Sequence, residues 1–217
     1  MRSEQVRRII GAYDDPVIRA YCRVRFGILR QRFLDEIGQY LPPEGAVLDL
    51  GCGFGLFSLY YAAIAPGRFI RGLDLSARRI AMARRAAERL EITNVSYRQG
   101  DAREVTGRGE FAAAYMLDII HHVPAAGVEG LLVRLHDCVA PGGRLLVKDV
   151  DAHPAYKRWF SWALDRLMDP RTPVSYWPAD RLQALLERVG FTVHRHLMVD
   201  VLPYPHVLYV CTRAGRR

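Results

Sequence analysis

Short apolar runs alternate with longer amphipathic segments from residue 46 of the chain onward. Five of the runs have the length and composition of β-strands, and they are 46–50, 69–74, 95–98, 111–117 and 144–149. Three intervening segments are long enough for helices that cross over a sheet: 55–65, 76–90 and 125–139. This alternation predicts an α/β fold, in which helices cover both faces of a mostly parallel sheet.

The two ends of the chain depart from this alternation. Residues 1–41 carry apolar positions at roughly helical spacing up to a proline-rich break, which predicts an N-terminal helical cap on a core of residues 42–217. Within that core, about 151–185 predicts a helical lid insertion rich in aromatic residues. Two strand-like runs follow, 191–199 and 206–212, and they predict an antiparallel hairpin at the sheet edge.

Composition places few further limits on the chain. With 217 residues, half of them hydrophobic, it can bury one substantial core. Its four cysteines are widely spaced and form no CxxC pair, which argues against a metal site and fits a reducing cytoplasm. No apolar run is long enough for a transmembrane helix, and no signal peptide is expected. We therefore predict a cytoplasmic location.

The chain is basic, with a formal net charge of +8. Such a charge fits nucleic acid, an acidic carrier protein or an anionic substrate as partner. The arginines are spread along the chain, however, and only Lys148 and Lys157 are lysines. The charge alone does not choose among these partners.

One short stretch indicates a ligand site. The first predicted strand runs directly into glycines at 51, 53 and 55, and a helix-like segment follows. Glycines let the backbone turn sharply and approach a ligand closely, because they carry no Cβ atom. The next helix presents its free N–H groups at the same place.

Carboxylates recur at the predicted strand ends, and they are Asp49, Asp74, Asp101 and Asp118. In an open α/β sheet, ligands bind beyond the carboxyl ends of the strands. Asp74 lies about 20 residues after the glycine turn, where a carboxylate accepts hydrogen bonds from ribose hydroxyls. Asp101 is placed to accept from an exocyclic amino group such as that of adenine. The structural alternatives are a helix cap at Asp74 and Ser76, and an ordinary Gly-Asp turn at Asp101.

Together these motifs resemble the class I methyltransferases that depend on S-adenosylmethionine. The motifs are VLDLGCGFG from Val47, GLDLS from Gly72, GDA from Gly100, LDIIHHVP from Leu117 and APGGRLLV from Ala140. The resemblance implies a Rossmann-like sheet of seven strands with an antiparallel last strand. It also implies S-adenosylmethionine as the cofactor and S-adenosylhomocysteine as the product.

The resemblance further assigns cofactor-binding residues. Asp49, Gly51, Cys52, Gly53 and Gly55 would hold the methionine moiety. Asp74 would take the ribose, with Leu75 in the same binding set, and Asp101 with Ala102 would take the adenine. Leu117 and Asp118 would line the methyl-transfer cavity. Many relatives have Phe-Asp at the start of the fourth strand, where this chain has Phe111-Ala112.

The fourth-strand motif bears on the methyl acceptor. Relatives that methylate exocyclic amines usually carry a Pro-Pro pair there, whereas this chain has Ile120-His121-His122, which resembles the small-molecule enzymes. His121 is the first candidate for a general base, because the pKa of histidine lies near neutrality. Asp118 and Asp149 are the other catalytic candidates, with Asp151 and His153 behind them. Alternatively, a histidine here packs against the next helix.

We therefore predict methyl transfer from S-adenosylmethionine to the oxygen or carbon of an apolar or aromatic small molecule, lipid-like or carried by an acidic protein. Aromatic residues in the cap and lid, such as Tyr13, Tyr21 and Trp159, suit such an acceptor. A basic aromatic run at 157–162 also fits peripheral contact with a membrane surface. The rival hypotheses are an RNA or protein methyltransferase and a non-catalytic module that binds the cofactor.

Overall fold

A computed structural model describes residues 2–29, 31–151, 175–198 and 206–215. They form a seven-stranded sheet in the order β3-β2-β1-β4-β5-β7-β6. The strands are β1 Gly45–Leu50, β2 Arg68–Asp74, β3 Val95–Gln99, β4 Phe111–Leu117, β5 Val139–Val150, β6 Phe191–Leu197 and β7 His206–Arg213. Only β7 runs antiparallel to its neighbours, β5 and β6. The predicted α/β fold class is therefore confirmed, antiparallel last strand included.

Seven α-helices accompany the sheet in the described ranges: α1 Arg2–Gly11, α2 Pro16–Ile28, α3 Gln31–Gly38, α4 Leu56–Ala63, α5 Ala77–Arg89, α6 Ala125–Cys138 and α7 Ala179–Val189. Local sequence explains where several of them begin. Pro16 opens α2, and the Asp15 side chain accepts hydrogen bonds from the backbone N–H groups of Val17 and Ile18. The Ser76 side chain caps α5 by accepting from the Arg79 N–H.

The structure differs from the prediction at the start of the fifth strand. β5 begins at Val139, five residues before the predicted strand, because Ala140-Pro141-Gly142-Gly143 continues the strand instead of forming a free loop. The pairing with β4 is irregular there, between Phe111 and Ala113. The predicted antiparallel hairpin at the sheet edge is confirmed, with β7 paired to β5 and β6 as the edge strand. Residues 152–174 of the predicted lid lie outside the described residues.

Two hydrophobic cores lie on opposite faces of the sheet. One contains buried side chains of α1 to α5, among them Ile9 and Tyr13 of the N-terminal region, together with Leu146 of β5. The other contains α6 and α7 together with Leu145 and Val147. Successive residues of a strand point to opposite faces. At the carboxyl end of β5, the neighbouring residues Lys148 and Asp149 therefore reach different sides of the sheet.

None of the helices in the described part of the chain is long and apolar enough to cross a membrane.

Candidate active site

The glycine turn after β1 forms one wall of a cleft at the carboxyl edge of the sheet. The N–H groups of Gly51 and Cys52 both donate to the Leu73 carbonyl oxygen, at 2.7 and 3.1 Å. Gly51 has a φ of +76°, and a Cβ atom there would lie 2.2 Å from the Ile119 side chain. Only glycine fits this position without strain. The Cys52 side chain is buried, and burial raises the pKa of its thiol.

Gly53 faces open space. A Cβ atom built there would meet no heavy atom within 4 Å, in contrast to Gly51 and Gly55. At Gly55, the Tyr97 hydroxyl oxygen would lie 2.6 Å away. The middle of the turn is therefore half-buried backbone with free space beside its Cα atom, while its two ends pack tightly against the protein. Such a cradle suits close approach of a ligand to the main chain.

Asp74 holds this turn from the end of β2. Its Oδ2 accepts a hydrogen bond from the Gly53 N–H, and its Oδ1 accepts from the Ser76 N–H, both at 2.9 Å. Each carboxylate oxygen has a further lone pair for a ligand hydroxyl. Ser76 itself caps α5, so both predicted roles of this segment occur together. Leu75 next to it is 70% exposed and offers an apolar surface at the same edge.

Asp101 carries a close partner that the sequence did not predict. Its carboxylate accepts from the Arg103 backbone N–H at 2.8 Å and from the Arg103 guanidinium at 2.6 Å. These hydrogen bonds lower the pKa of Asp101, so it stays ionised. It also begins the short 3₁₀ turn Ala102–Glu104, as the Gly-Asp turn alternative implies. An adenine amino group would share this carboxylate with Arg103.

Asp49 lies beneath the glycine turn and is 4% exposed. The Tyr115 hydroxyl donates to its Oδ2 at 2.9 Å. Burial raises the pKa of Asp49 to about 7, although the hydrogen bonds from Tyr115 and Ser58 oppose the shift. Asp49 therefore ties the end of β1 to Tyr115 of β4 and Ser58 of α4, and it titrates near neutrality.

The opposite wall of the cleft is the turn after β4. Leu117 ends the strand, and Asp118 then adopts a φ of +60°, a conformation that is uncommon for residues other than glycine. Asp118 Oδ1 lies 2.5 Å from Lys148 Nζ, and Oδ2 lies 2.5 Å from Arg25 Nη2 of α2. Burial alone would raise the pKa of Asp118, but the two positive charges outweigh it and hold the pKa well below its usual range.

The same turn carries a histidine–carboxylate pair on the other face of the sheet. His121 Nδ1 lies 2.5 Å from Asp149 Oδ1, and the His121 backbone N–H donates to Asp149 Oδ2 at 3.2 Å. When Nδ1 carries the proton given to Asp149, Nε2 becomes the proton acceptor of the ring. The Tyr176 ring stacks on His121 with 5.5 Å between centroids. The structure thus brings together two of the predicted catalytic residues, His121 and Asp149.

Sequence reasoning missed several partners of the site's carboxylates, among them Arg25, Arg103, Lys148 and Tyr115. Lys148 gave a usable signal, because it is a lysine at the end of the apolar run Leu145-Leu146-Val147. Arg25 is one of many arginines and gave none. Of the weaker candidates, Asp151 accepts a hydrogen bond from the Ala179 N–H at 3.2 Å. His153, Trp159 and the basic run at 157–162 lie outside the described residues.

Comparison with known proteins decides the family. A family model for the methyltransferase domain matches residues 21–196, which is most of the chain. The chain belongs to this family. It is an S-adenosylmethionine-dependent methyltransferase, as the motifs predicted.

Several curated relatives of this methyltransferase are recognisable in sequence. An uncharacterized methyltransferase from Synechocystis is 28% identical over 157 residues, which cover 71% of this chain and 70% of the relative. A ubiquinone biosynthesis O-methyltransferase from Azorhizobium caulinodans is 31% identical over 134 residues, covering 59% of this chain and 51% of the relative. The aligned region thus spans about half the length of that O-methyltransferase.

Solved structures share the fold at low sequence identity. The YcgJ protein from Bacillus is 16% identical, with a TM-score of 0.70 over 87% of this chain and 100% of that one. A phosphoethanolamine N-methyltransferase from Haemonchus contortus, solved in complex with S-adenosyl-L-methionine, is 15% identical. Its TM-score is 0.67 over 84% of this chain and 52% of that one.

The cleft of the methyltransferase fits its cofactor. The open backbone at Gly53 leaves room for a ligand beside the main chain. Asp74 offers two oxygens at the edge of that space, and Leu75 offers an exposed apolar surface next to them. These features match the needs of a methionine chain, a ribose diol and a purine ring. We therefore keep the assignment of Asp74 to the ribose and of the glycine turn to the methionine moiety as predictions.

Proposed function

We propose that the enzyme methylates a hydroxyl oxygen of an aromatic small molecule, and that His121 is the general base. The pairing of His121 Nδ1 with Asp149 Oδ1 at 2.5 Å carries this proposal. A carboxylate in this position fixes the ring orientation and the tautomer, and it stabilises the imidazolium that forms when Nε2 takes a proton. A hydroxyl acceptor needs such a base, because the neutral oxygen is a weak nucleophile.

The cofactor would supply the methyl group, and the protein would remove the proton of the acceptor. When bound, S-adenosylmethionine supplies the methyl group from a positively charged sulfonium, and the carbon–sulfur bond breaks to leave neutral S-adenosylhomocysteine. As the acceptor oxygen takes the methyl group, His121 Nε2 would accept the proton that the oxygen loses. Asp149 holds the ring throughout, with its Oδ1 also accepting from the Val150 N–H at 2.7 Å.

The surroundings of His121 support an aromatic acceptor. Tyr176 stacks on the ring at an interplanar angle of 22° and, with Ser175, covers it, since the Ser175 N–H donates to the His121 carbonyl oxygen at 2.8 Å. His121 is only 2% exposed beneath this cover. Tyr176 covers one face of the imidazole, whereas the Nε2 lone pair lies in the ring plane, so the acceptor hydroxyl would approach Nε2 at the edge of the ring. The relatives named ubiquinone biosynthesis O-methyltransferases support the same class of chemistry.

The test is a methyl-transfer screen with radiolabelled S-adenosylmethionine over catechols, hydroquinones and hydroxybenzoates. We expect at least one of them to be methylated on oxygen. His121→Ala should then lower kcat roughly 100-fold or more, because a positioned base contributes that much, while S-adenosylhomocysteine affinity changes little. His194→Ala removes an exposed histidine of β6 and serves as the matched control.

Asp149→Asn should lower kcat as well, since the amide no longer imposes the tautomer. Full turnover in His121→Ala would exclude this residue as the base. Methylation on nitrogen alone would contradict the proposed acceptor class.

A further inference from the structure

The N-terminal helix α2 spans the cofactor cleft and touches both of its walls. On the side of the glycine turn, the Tyr21 ring meets the Phe54 ring with 6.0 Å between centroids. Just before α2, the Tyr13 hydroxyl donates to the Phe54 carbonyl oxygen at 2.9 Å. On the opposite side, Arg25 reaches Asp118. Tyr21 and Arg25 are four residues apart and therefore share one face of the helix.

The ion pair between Arg25 and Asp118 can break without leaving an unpaired charge in the interior. Lys148 is fully buried, and Asp118 is its charged partner. If Arg25 moves away, Lys148 and Asp118 still neutralise each other, so no lone charge is left in the interior. The Arg25 side chain is 27% exposed, which lets water solvate the guanidinium in an open state. The sheet thus keeps its own ion pair, and the cap adds a second cation to it.

The same contact reaches the turn that carries His121. Lys148 holds Asp118 and Asp149 holds His121, so two consecutive residues of β5 fasten the turn from opposite faces of the sheet. Between these two points lies the left-handed backbone at Asp118, whose φ is +60°. Conformations of this kind persist only where surrounding contacts enforce them. Arg25 is the contact that the cap contributes.

We propose that Arg25 is a positioning residue of the methyl-transfer site, which closes the cap over the bound cofactor and fixes the turn that carries His121. The statement about His121 rests on the proposed function, whereas the statement about the cofactor does not. Because α2 contacts both walls, the cofactor product leaves the cleft only after the contact with Asp118 has broken. Release of S-adenosylhomocysteine therefore reports directly on Arg25.

The experiment compares Arg25→Met, Arg25→Lys and the control Arg23→Met, which removes an exposed arginine of the same helix. Dissociation of S-adenosylhomocysteine is followed by stopped-flow displacement. We expect Arg25→Met to speed dissociation roughly tenfold, because α2 moves away from Asp118 more readily without this charge pair and the product escapes from that open state. Arg25→Lys should recover most of the wild-type rate, and Arg23→Met should match the wild type.

Hydrogen exchange with S-adenosylhomocysteine bound separates closure from general loss of stability. In Arg25→Met, exchange should rise in residues 2–29 and 118–123 and stay unchanged in β1, β2 and α5. In a background that removes the buried pair as a whole, Lys148→Met with Asp118→Asn, Arg25→Met should add little to the off-rate, because its partner is already lost. An unchanged off-rate, or a uniform rise in exchange over the whole chain, would overturn the proposal. His121→Ala should leave the off-rate unaltered, so a failure of the proposed base is distinguishable.

Discussion

Asp74 joins the glycine turn and the start of α5 through one buried carboxylate. It accepts hydrogen bonds from the N–H groups of Gly53 and Ser76, and we expect its remaining lone pairs to accept from the ribose hydroxyls. Asp74→Ala should therefore weaken S-adenosylhomocysteine binding by at least about tenfold, as expected for the loss of charge-assisted hydrogen bonds. Titration calorimetry measures the change. Asp137→Ala, which removes an exposed carboxylate, is the control, and an unchanged Kd for Asp74→Ala would remove the ribose assignment.

Site residues could be predicted from the sequence where their place at the carboxyl end of a strand already puts them near a ligand. Asp74 ends β2, and Asp101 and Asp118 follow closely after β3 and β4, so the carboxyl-end rule places all three at the same edge of the sheet. Arg25 and Tyr115 were not predictable, because their partners Asp118 and Asp49 lie 93 and 66 residues away in the chain. The residue type of an arginine or tyrosine does not reveal which carboxylate it meets after folding.

The glycine turn must pack against the protein at Gly51 and leave room for the cofactor at Gly53. Alanine substitutions at these two glycines test the two requirements separately. Gly51→Ala places a Cβ atom 2.2 Å from Ile119 Cδ1 at a φ of +76°, so the free energy of unfolding should fall by about 2 kcal/mol or more. Gly53→Ala meets open space, so it should cost only about 1 kcal/mol. The new methyl group would nevertheless stand in the cofactor space and weaken S-adenosylhomocysteine binding.

Urea unfolding and calorimetry distinguish the two glycine variants. We expect Gly51→Ala to lower the free energy of unfolding more than Gly53→Ala does. We expect Gly53→Ala to weaken S-adenosylhomocysteine binding more than its small loss of stability would explain. The reverse pattern would mean that the open side of the turn does not face the cofactor.

Strands could be predicted where an apolar run is followed by glycine or by a charged residue. The parallel strands β1 to β4 follow that pattern, and their predicted ranges agree with the structure to within a residue. β5 differs, because the turn-like composition of Ala140-Pro141-Gly142-Gly143 hid the extension back to Val139. There, the backbone of Gly143 lies so close to Ala112 that a Cβ atom would stand 2.7 Å from the Ala112 carbonyl oxygen. Tertiary approach of β4 thus decides a conformation that local sequence does not.

Stability of the whole molecule should depend on pH through Asp49. Its pKa is raised by burial from 3.8 to about 7, so the folded state binds this proton more tightly than the unfolded chain does. The favourable contribution is complete below about pH 4 and is lost as pH rises through about 7. We expect the free energy of unfolding of the wild type, relative to Asp49→Asn, to fall by a few kcal/mol between pH 4 and pH 8.

Urea titrations of both proteins at several pH values measure that difference. Asparagine keeps an acceptor for the Tyr115 hydroxyl and does not titrate, so subtraction removes the other ionisable groups. Parallel pH dependence in the two proteins would show that Asp49 does not titrate in this range.

The long-range ties of the cap also set an order of assembly. Arg25 meets a partner 93 residues downstream, and Glu36 Oε1 lies 2.6 Å from His196 Nε2, 160 residues away. Contacts between residues this far apart in sequence tend to form late in folding, because closing the long intervening loop costs chain entropy before the contact can stabilise the structure. Helices α2 and α3 are synthesised before β4, β5 and β6, and we therefore expect them to dock only after those strands have supplied their partners. Until then, we expect a nascent chain to expose the apolar side chains of α1 to α3 that the folded protein buries, and such surface is prone to aggregation.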